Sequence, residues 1–369
     1  MKRRHFLTRT VKGVAAASVV GSALSAPASP AVGQGLRRLK MITTWPKNFP
    51  GLGTGAQRLA DSITQLSGGK LEVKVFSAGE LVPPSETFDA VSGGAADCYH
   101  AIEYYFQHRS RALNFFASVP FGMTAGEMAA WVYHGGGQAL WDEVSGNFNI
   151  KPFQVGNTGA QMGGWFNRDI NTIEDFKGLK IRIPGLGGDV LARVGAIPQP
   201  LSGGQIFSAL QSGKLDATEW AGPWGDLELG LHRVAKNYYY PGFYEPGTAL
   251  SAGFNRKLWD SLEDDLKAVV TQAAMAENAL SRAEFQSKNA DALFTLRQVH
   301  KVTMRRFPDG VMKAIGEASG DVVRSVGTGG DALTRRVFED FRKFRSKSLS
   351  WSHLGEQSFR NARILPFEY

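Results

Sequence analysis

Three short segments place a polar side chain beside glycines or at the end of an apolar run. They are 156–165 (GNTGAQMGGW), 178–185 (GLKIRIPG) and 215–224 (LDATEWAGPW), and Tyr244 and Glu245 follow the last of them. Glycine allows a backbone to approach a ligand closely, and a polar group at a strand end faces whatever lies beyond the sheet. These segments are therefore the first candidates for a polar binding cleft.

Arg182 is the most informative charged residue in these segments. It lies between Ile181 and Ile183, so in a strand it points away from both, toward either solvent or a cleft. A guanidinium offers a planar fork that binds a carboxylate through two hydrogen bonds. The alternative is a structural ion pair with an aspartate or glutamate. Glu219, beside Trp220, is either a binding carboxylate or a surface carboxylate at a strand end.

Motifs for the common catalytic chemistries are absent from the sequence. The seven histidines lack metal-ligand spacing, and the single cysteine, Cys98, provides neither a thiolate metal site nor an intramolecular disulfide. The sequence has no Gly-x-Ser-x-Gly elbow and no phosphate-binding Gly-x-x-x-x-Gly-Lys loop. We therefore expect a binding protein and not an enzyme. The alternative is an exported hydrolase or lyase that uses Glu219 and Glu245 as acid and base.

Composition and charge are those of an ordinary globular protein. The 369 residues are 43% hydrophobic and 21% charged, with 43 glycines. The formal charge falls from +8 to +3 once residues 1–34, with five basic residues and no acid, are removed. The rest has no dense basic run with interleaved aromatic residues, so we expect no nucleic-acid partner.

Residues 1–34 have the pattern of an export signal. A basic start precedes an apolar stretch over Val11–Ala26 and a region rich in Ser, Pro and Ala. The run 3–7 (RRHFL) fits a twin-arginine signal, and a general secretory signal is the alternative. The segment has no cysteine for lipid attachment, and no later apolar run approaches the roughly 20 residues that span a bilayer. We expect a soluble periplasmic protein.

Alternating strand and helix patterns organise the rest of the chain. Strands are expected at 39–44, 71–76, 95–100, 164–167, 179–183 and 216–220. Helices are expected at 54–66, 84–91, 187–194 and 204–212. This order predicts mostly parallel sheets covered by helices, and ligands of such sheets bind beyond the carboxyl ends of the strands. Trp45, Glu80 and the pair Tyr104 and Tyr105, each just past an expected strand, then lie on one rim.

Two further helices follow. An apolar stripe with helical spacing runs from Ser261 to about Arg297, with Asp260 or Ser261 as its expected N-cap. A helix this long is expected to brace two domains. The last amphipathic helix runs through Leu333 and Phe344, and its basic side is either a solvated face or a surface held against a partner subunit.

The chain resembles the extracytoplasmic solute receptors of TRAP (tripartite ATP-independent periplasmic) transporters. The resemblance extends from 43–46 (TTWP) to the long helix, over essentially the whole mature chain. The segment 178–185 resembles the stretch that carries the family's carboxylate-binding arginine, here Arg182. The segment 219–223 (EWAGP) resembles the branch that binds 2-oxo or 2-hydroxy monocarboxylates together with a metal ion.

This resemblance implies an α/β fold of the two-lobed, type II-like periplasmic-binding-protein kind. A long helix spans both lobes, and a C-terminal helix serves dimerisation. The implied divisions are the export signal at 1–34, lobe I at 35–155, lobe II at 156–244, the crossover strand with the long helix at 245–300, and a C-terminal helical region at 301–369. The implied mechanism is closure of the lobes around the ligand.

The resemblance also implies the site residues and partners. A sodium or calcium ion is bound by Gln161, Glu219, the Trp220 carbonyl and Glu245. The small carboxylate is bound by Arg182, Tyr105 or its neighbour Tyr104, Gln161, Asn157 and Trp220. Independently of the resemblance, Trp45, Trp220 and Trp224 either form walls that exclude water from such a site or are ordinary core aromatic residues. The sequence has Ala160 where some relatives have an asparagine that contacts substrate. The implied partners are TRAP membrane subunits and a second copy of the chain, and a receptor of another transporter class is the alternative.

Overall fold

The structure is a computed structural model that describes residues 35–368, so the expected export signal lies outside the described residues. This part of the chain forms two β-sheets with flanking helices. The strands are β1 Arg37–Thr43, β2 Leu71–Phe76, β3 Cys98–Ala101, β4 Ile150–Asn157, β5 Gly164–Phe166, β6 Lys180–Arg182, β7 Ile197–Pro198, β8 Ala217–Thr218, β9 Asn237–Tyr240, β10 Ala249–Asn255 and β11 Thr303–Arg306. The helices are α1 Gly53–Leu66, α2 Thr87–Ser92, α3 Ala125–His134, α4 Gly137–Gly146, α5 Gly185–Arg193, α6 Gly203–Gln211, α7 Pro223–Glu228, α8 Arg256–Asp260, α9 Asp264–Gln298, α10 Asp309–Gly329, α11 Ala332–Ser352 and α12 Ser358–Ala362.

The first sheet has the strand order β2-β1-β3-β10-β4. Strands β1, β2 and β3 are parallel, as the alternating pattern of the N-terminal half predicts. Strand β10 enters from much later in the chain and is antiparallel to both β3 and β4. Its seven residues are all buried, so it is an internal strand of the sheet.

The second sheet has the order β11-β9-β5-β8-β6-β7. Strand β6 is parallel to both β7 and β8, whereas β5 is antiparallel to β8 and β9. Helices α5 and α6 follow β6 and β7 in the chain, which is the usual strand-helix alternation. The carboxyl ends of β6 and β8 consequently lie side by side.

Three segments carry the chain between the sheets, and two of them lie next to each other; the third contains α8 and α9. Residues 158–163 lead from β4 to β5, and residues 241–248 lead from β9 to β10. The main-chain amide of Gln161 donates to the carbonyl of Glu245 (3.2 Å). A Cβ on Gly242 would lie 2.6 Å from the Gln161 carbonyl oxygen, so glycine is required for this close approach.

Helix α9 is 35 residues long and contacts β4 and α1 beside the first sheet and α7 beside the second. Its N-cap is Glu263, not Asp260 or Ser261, because Ser261 instead ends the short helix α8. A search of residues 35–368 for a helix with the length and apolar character of a membrane span finds none.

Candidate functional site

Arg182 and Glu219 meet where two parallel strands end. Arg182 is the last residue of β6, and Glu219 directly follows β8. The Glu219 amide donates to the Arg182 carbonyl (3.2 Å), which continues the parallel pairing by one residue. The Arg182 Nη1 donates to the Glu219 carboxylate, and its Nε donates to the carbonyl of Leu201 (3.2 Å). The structural ion pair weighed as an alternative above is therefore present.

Both members of this ion pair are almost completely buried, with exposures of 3% for Arg182 and 1% for Glu219. Burial alone lowers the pKa of a guanidinium, but the charge of Glu219 and the nearby tyrosines outweigh it, so the pKa of Arg182 is raised. Burial raises the pKa of Glu219 well above its ordinary value; Arg182 lowers this pKa and Glu245 raises it. An additional cation beside two such carboxyl groups would stabilise their ionised forms.

Gln161 and Glu245 come from the two segments that connect the sheets. The Gln161 Nε2 donates to Thr158 Oγ1 (2.9 Å), while its buried Oε1 has no hydrogen-bond partner. Glu245 accepts a hydrogen bond from Thr248, and burial raises the pKa of Glu245 to about 7. The site thus holds an amide oxygen without a partner beside a carboxyl group that is costly to ionise.

Two cavities adjoin Arg182. The smaller, of about 10 Å³, is lined by residues that include Gln161, Glu245 and Trp220. The larger, of about 400 Å³, lies between residues that follow the strands of the first sheet, such as Thr44 and Tyr104, and helix α5 with the loop that follows β7. Both cavities are lined by Tyr104, Tyr105, Arg182 and Trp220. Arg182 therefore takes part in the ion pair and also faces accessible space.

Aromatic side chains form most of the boundary between the cavities. Trp220 lies under the guanidinium, with Arg182 Cζ 5.1 Å from its ring centroid, and packs edge-on against Phe49 (5.8 Å). The ring centroids of Tyr104 and Tyr105 are 4.9 Å apart, and the ring centroid of Trp45 lies 6.1 Å from that of Tyr105. These rings exclude water from the guanidinium and so strengthen its electrostatic contacts.

Three residues named in the sequence analysis lie away from both cavities. Asn157 is buried, but its side chain bonds to main-chain groups, accepting from the Gly159 amide (2.9 Å) and donating to the Gly247 carbonyl (3.3 Å). Ala160 is exposed, and Trp224 packs against Phe285 of α9 (5.4 Å). Asn157 thus shapes the connecting segments and does not line the cavities.

The oxygen donors near the small cavity fit a hard cation. Gln161, Trp220 and Glu245 line this cavity and offer an amide oxygen, a main-chain carbonyl and a carboxyl group, and Glu219 adds a second carboxyl group behind the lining, paired with Arg182. These are the kinds of oxygen that calcium and sodium accept. Across residues 35–368, no three His, Cys, Asp or Glu side chains converge as a metal-binding group. Any cation here must therefore depend on amide and main-chain oxygens in addition to the two carboxyl groups.

Two supporting residues were not found by sequence reasoning. His100 lies behind Trp45 and accepts a hydrogen bond from its indole nitrogen (2.8 Å), and burial lowers the pKa of His100 to about 3. Asp226 accepts hydrogen bonds from Trp165 (2.8 Å) and from Tyr238 (2.6 Å). These long-range contacts leave no local sequence signal, because each partner lies in a distant element.

Comparison with known proteins gives a family match over most of the chain. The model of bacterial extracellular solute-binding protein, family 7 (DctP) matches residues 42–328. The chain is also 37% identical over 361 residues to the monocarboxylate 2-oxoacid-binding periplasmic protein of Nostoc sp. strain PCC 7120. That alignment covers 98% of each protein.

Two solved structures have the same fold at comparable identity. A TRAP transporter solute-binding protein from Bordetella bronchiseptica RB50 is 32% identical, with a TM-score of 0.87, over 89% of this chain and 98% of its own. It is a mixed-occupancy dimer with copurified calcium and picolinate in its active site. A TRAP periplasmic solute-binding protein from Pseudoalteromonas atlantica T6c, with bound sodium and pyruvate, is 35% identical, with a TM-score of 0.85, over 90% of this chain and 99% of its own.

Proposed function

The chain belongs to the bacterial extracellular solute-binding protein family 7, and we propose that it captures a small 2-oxo or 2-hydroxy monocarboxylate in the periplasm for a TRAP transporter. The observation that carries this proposal is the buried, cationic Arg182 at the end of β6, which lines two cavities, one of them beside the unpartnered Oε1 of Gln161. The relatives that cover nearly the whole chain bind 2-oxo acids or related carboxylates. The family consists of solute-binding proteins, so the chain is a receptor and not an enzyme.

We assign the cation to Gln161, Glu219, the Trp220 carbonyl and Glu245. A bound sodium or calcium ion would supply positive charge that keeps both carboxyl groups ionised despite their burial, and it would accept the oxygens of the ligand. Two ionised carboxylates favour calcium, because its double charge balances theirs. If Glu245 keeps its proton, the single charge of sodium is sufficient.

Arg182 then receives the carboxylate of the ligand. In the structure its Nη1 is bonded to Glu219, so the ligand must share or take over this donor. A cation that draws the Glu219 carboxylate toward itself frees the guanidinium fork for the ligand. The ligand replaces one anionic partner by another, and no buried charge is left unpaired during capture.

We further propose that capture closes two lobes, with lobe I at 35–155, lobe II at 156–244 and the segment 245–300 bracing both. Both proposed lobes contribute residues to the site, since Tyr105 follows β3 of the first sheet and Arg182 ends β6 of the second. Ligand contacts to both sides favour the closed form, because only differential affinity shifts such an equilibrium. Helix α9 fits the bracing role because it contacts elements beside both sheets.

Isothermal titration of metal-stripped protein with pyruvate tests this function. We expect heat of binding with sodium or calcium present, none without, and no product by chromatography. Arg182→Ala should weaken pyruvate binding by at least about 100-fold, since removing one partner of a buried charge pair costs about 3 kcal/mol or more. Arg193→Ala, which removes a half-exposed arginine paired with Asp321, is the matched control and should bind normally. Cation-independent binding, or binding unaffected by Arg182→Ala, would exclude this site.

The C-terminal segment is our proposed dimer contact. It exposes seven large apolar side chains: Leu349, Trp351, Leu354, Phe359, Ile364, Leu365 and Phe367. A run of this kind is typical of an interface, and the Bordetella relative is a dimer. Light scattering should show a dimer that Trp351→Glu converts to a monomer, while Phe294→Glu, at an exposed apolar residue of α9, should leave it intact.

We also propose twin-arginine export, which rests on residues 3–7 alone and lies outside the described residues. Replacing Arg3 and Arg4 together by lysine should leave uncleaved precursor in the cytoplasm. Continued export of that variant to the periplasm would favour the general secretory route.

A further inference from the structure

The larger cavity is oversized for a three-carbon acid. Its volume of about 400 Å³ falls within the roughly 300–1,000 Å³ of pockets that enclose drug-sized ligands. A water molecule takes about 30 Å³ in the liquid, so pyruvate would leave space for several of them. The small cavity, of about 10 Å³, has no space for more than the cation and its nearest ligand atoms. A side chain attached to the 2-oxo acid would therefore enter the larger cavity.

The walls of this cavity are suited to an uncharged side chain. Its apolar lining is Ile183, Pro184, Ala192, Pro198, Pro200 and Leu201. Proline and branched side chains have little rotamer freedom to lose, so these walls are largely preformed. Among the described residues that line the cavity, Arg182 is the one cationic group, and the proposed function already assigns it to the head of the ligand.

Beyond Arg182 the cavity meets a neutral ion pair. Asp189, on helix α5, lines the cavity and pairs with Arg111. Arg111 Nη1 also donates to Gln107 Oε1 (2.8 Å). The pair carries no net charge, and Asp189 occupies the guanidinium that could otherwise bind a second carboxylate of a ligand. Such a carboxylate would lose its hydration in the cavity and gain no free cation among the described residues that line it.

We propose that the physiological ligand is a 2-oxo monocarboxylate with an extended, uncharged, largely apolar side chain, and that Asp189 is the residue that rejects 2-oxodicarboxylates. This inference rests on the proposed function, because it takes Arg182 and the cation as the binding site of the ligand's head. It adds the chemistry of the tail and assigns the selectivity against a second charge to the Asp189–Arg111 pair.

A ligand series tests the tail. With saturating calcium, isothermal titration should show 4-methyl-2-oxopentanoate and phenylpyruvate binding at least about ten-fold tighter than pyruvate, since each added methylene in an apolar pocket contributes about ten-fold or more. Ala192→Trp, which places a ring in the cavity from an exposed helical position, should abolish this preference and leave pyruvate affinity within two-fold or so. Ala268→Trp, at an exposed position on α9 away from the cavity, is the matched control and should retain the preference.

A charge series tests Asp189. The wild type should bind 2-oxoadipate at least about 100-fold more weakly than 4-methyl-2-oxopentanoate, because its second carboxylate would have no free cationic partner. Asp189→Asn should improve 2-oxoadipate binding about ten-fold by freeing Arg111. Asp321→Asn, which breaks the other ion pair of helix α5, should not.

The outcomes distinguish failure of the proposed function from failure of the inference about the ligand's tail and Asp189. If no 2-oxo acid binds even with a cation, the proposed function fails, and the inference fails with it. If pyruvate binds as well as or better than the larger acids, or if Ala192→Trp weakens all of them equally, the assignment of the tail alone is overturned. If Asp189→Asn leaves 2-oxoadipate binding unchanged, Asp189 is not the residue that rejects dicarboxylates.

Discussion

Two buried glutamates in this protein have pKa values that burial raises, but their surroundings differ. Glu219 directly follows β8 and pairs with Arg182, whereas Glu103 follows β3 and accepts a hydrogen bond from Tyr99 (2.7 Å) within the aromatic core. Both are essentially inaccessible, and burial raises the pKa of each, to about 7 for Glu103 and well above its ordinary value for Glu219. The partners of Glu103 are neutral, while those of Glu219 are charged.

This comparison shows that a perturbed pKa alone does not identify a binding site. Glu103 lies among apolar rings and lines neither cavity at Arg182. Loss of its proton would therefore destabilise the fold without serving a ligand. Glu219 also lines neither cavity, but it pairs with Arg182, which lines both, and the charge of Glu245, which lines the small cavity with the unpartnered Gln161 oxygen, acts on it. Convergent polar groups and access to a ligand are what distinguish the two.

The largest expected difference comes from the same substitution at both glutamates. Glu219→Gln should weaken calcium-dependent pyruvate binding about a thousand-fold, about 4 kcal/mol, because it removes a cation ligand and leaves Arg182 without its anionic partner. Glu103→Gln should leave the affinity for pyruvate within about two-fold of the wild-type value, since an amide and a carboxylic acid can both accept the hydrogen bond from Tyr99. Titration calorimetry of both variants measures this, and equal losses at the two positions would remove the distinction drawn here.

A second expected effect concerns stability and pH at Glu103. Its pKa of about 7 in the folded chain exceeds its ordinary value of 4.5, so between these pH values the folded chain holds a proton that the unfolded chain has released. Stability therefore falls as the pH rises through this window, by roughly 3 kcal/mol in total at about 1.4 kcal/mol per pH unit.

Glu103→Gln removes this titration, so its unfolding free energy should be flatter between pH 4.5 and 7 than that of the wild type. Urea denaturation at several pH values gives the slopes, and the variant should be the more stable protein near pH 8. Parallel slopes for the two proteins would mean that Glu103 ionises normally in the folded chain.

The smallest effect is expected from a pair of buried glutamines. The Oε1 of Gln161 and both amide atoms of Gln154 have no hydrogen-bond partner, but only Gln161 lines the small cavity at Arg182. Gln161→Leu should weaken cation binding by about ten-fold, the size expected for one neutral oxygen ligand. Gln154→Leu should leave cation binding unchanged, because that amide lies within β4. Equal calcium affinities in the two variants, measured by competition with a chelating dye, would remove Gln161 from the cation site.

The elements with strong local patterns could be predicted from sequence. The alternating residues of Leu71–Phe76 form β2 as expected, and the apolar spacing of 54–66 forms α1 with one additional residue at its start. Arg182 was predicted to lie in a strand, with an acidic partner as one alternative, but Glu219 was not identified as that partner. The two meet because the parallel strands β6 and β8 share a carboxyl edge. Each of these predictions depends on periodicity or on neighbouring strands.

Long-range features could not be predicted in this way. Strand β10 joins β3 and β4 from more than 90 residues away, and no local pattern indicates which sheet it enters. The contact between 158–163 and 241–248, which brings Gln161 to Glu245, has the same origin. Asn157 was assigned to substrate by resemblance, yet local hydrogen bonds to Gly159 and Gly247 hold its side chain. A short polar side chain beside glycine often serves the backbone in this manner.

A crystal structure with calcium and 4-methyl-2-oxopentanoate would show whether one guanidinium and one cation together hold the head of a small carboxylate. We expect an anomalous calcium peak among Gln161, Glu219, the Trp220 carbonyl and Glu245, with the ligand carboxylate bonded to Arg182. A ligand bound elsewhere, with Arg182 still paired to Glu219 alone, would rule out this site.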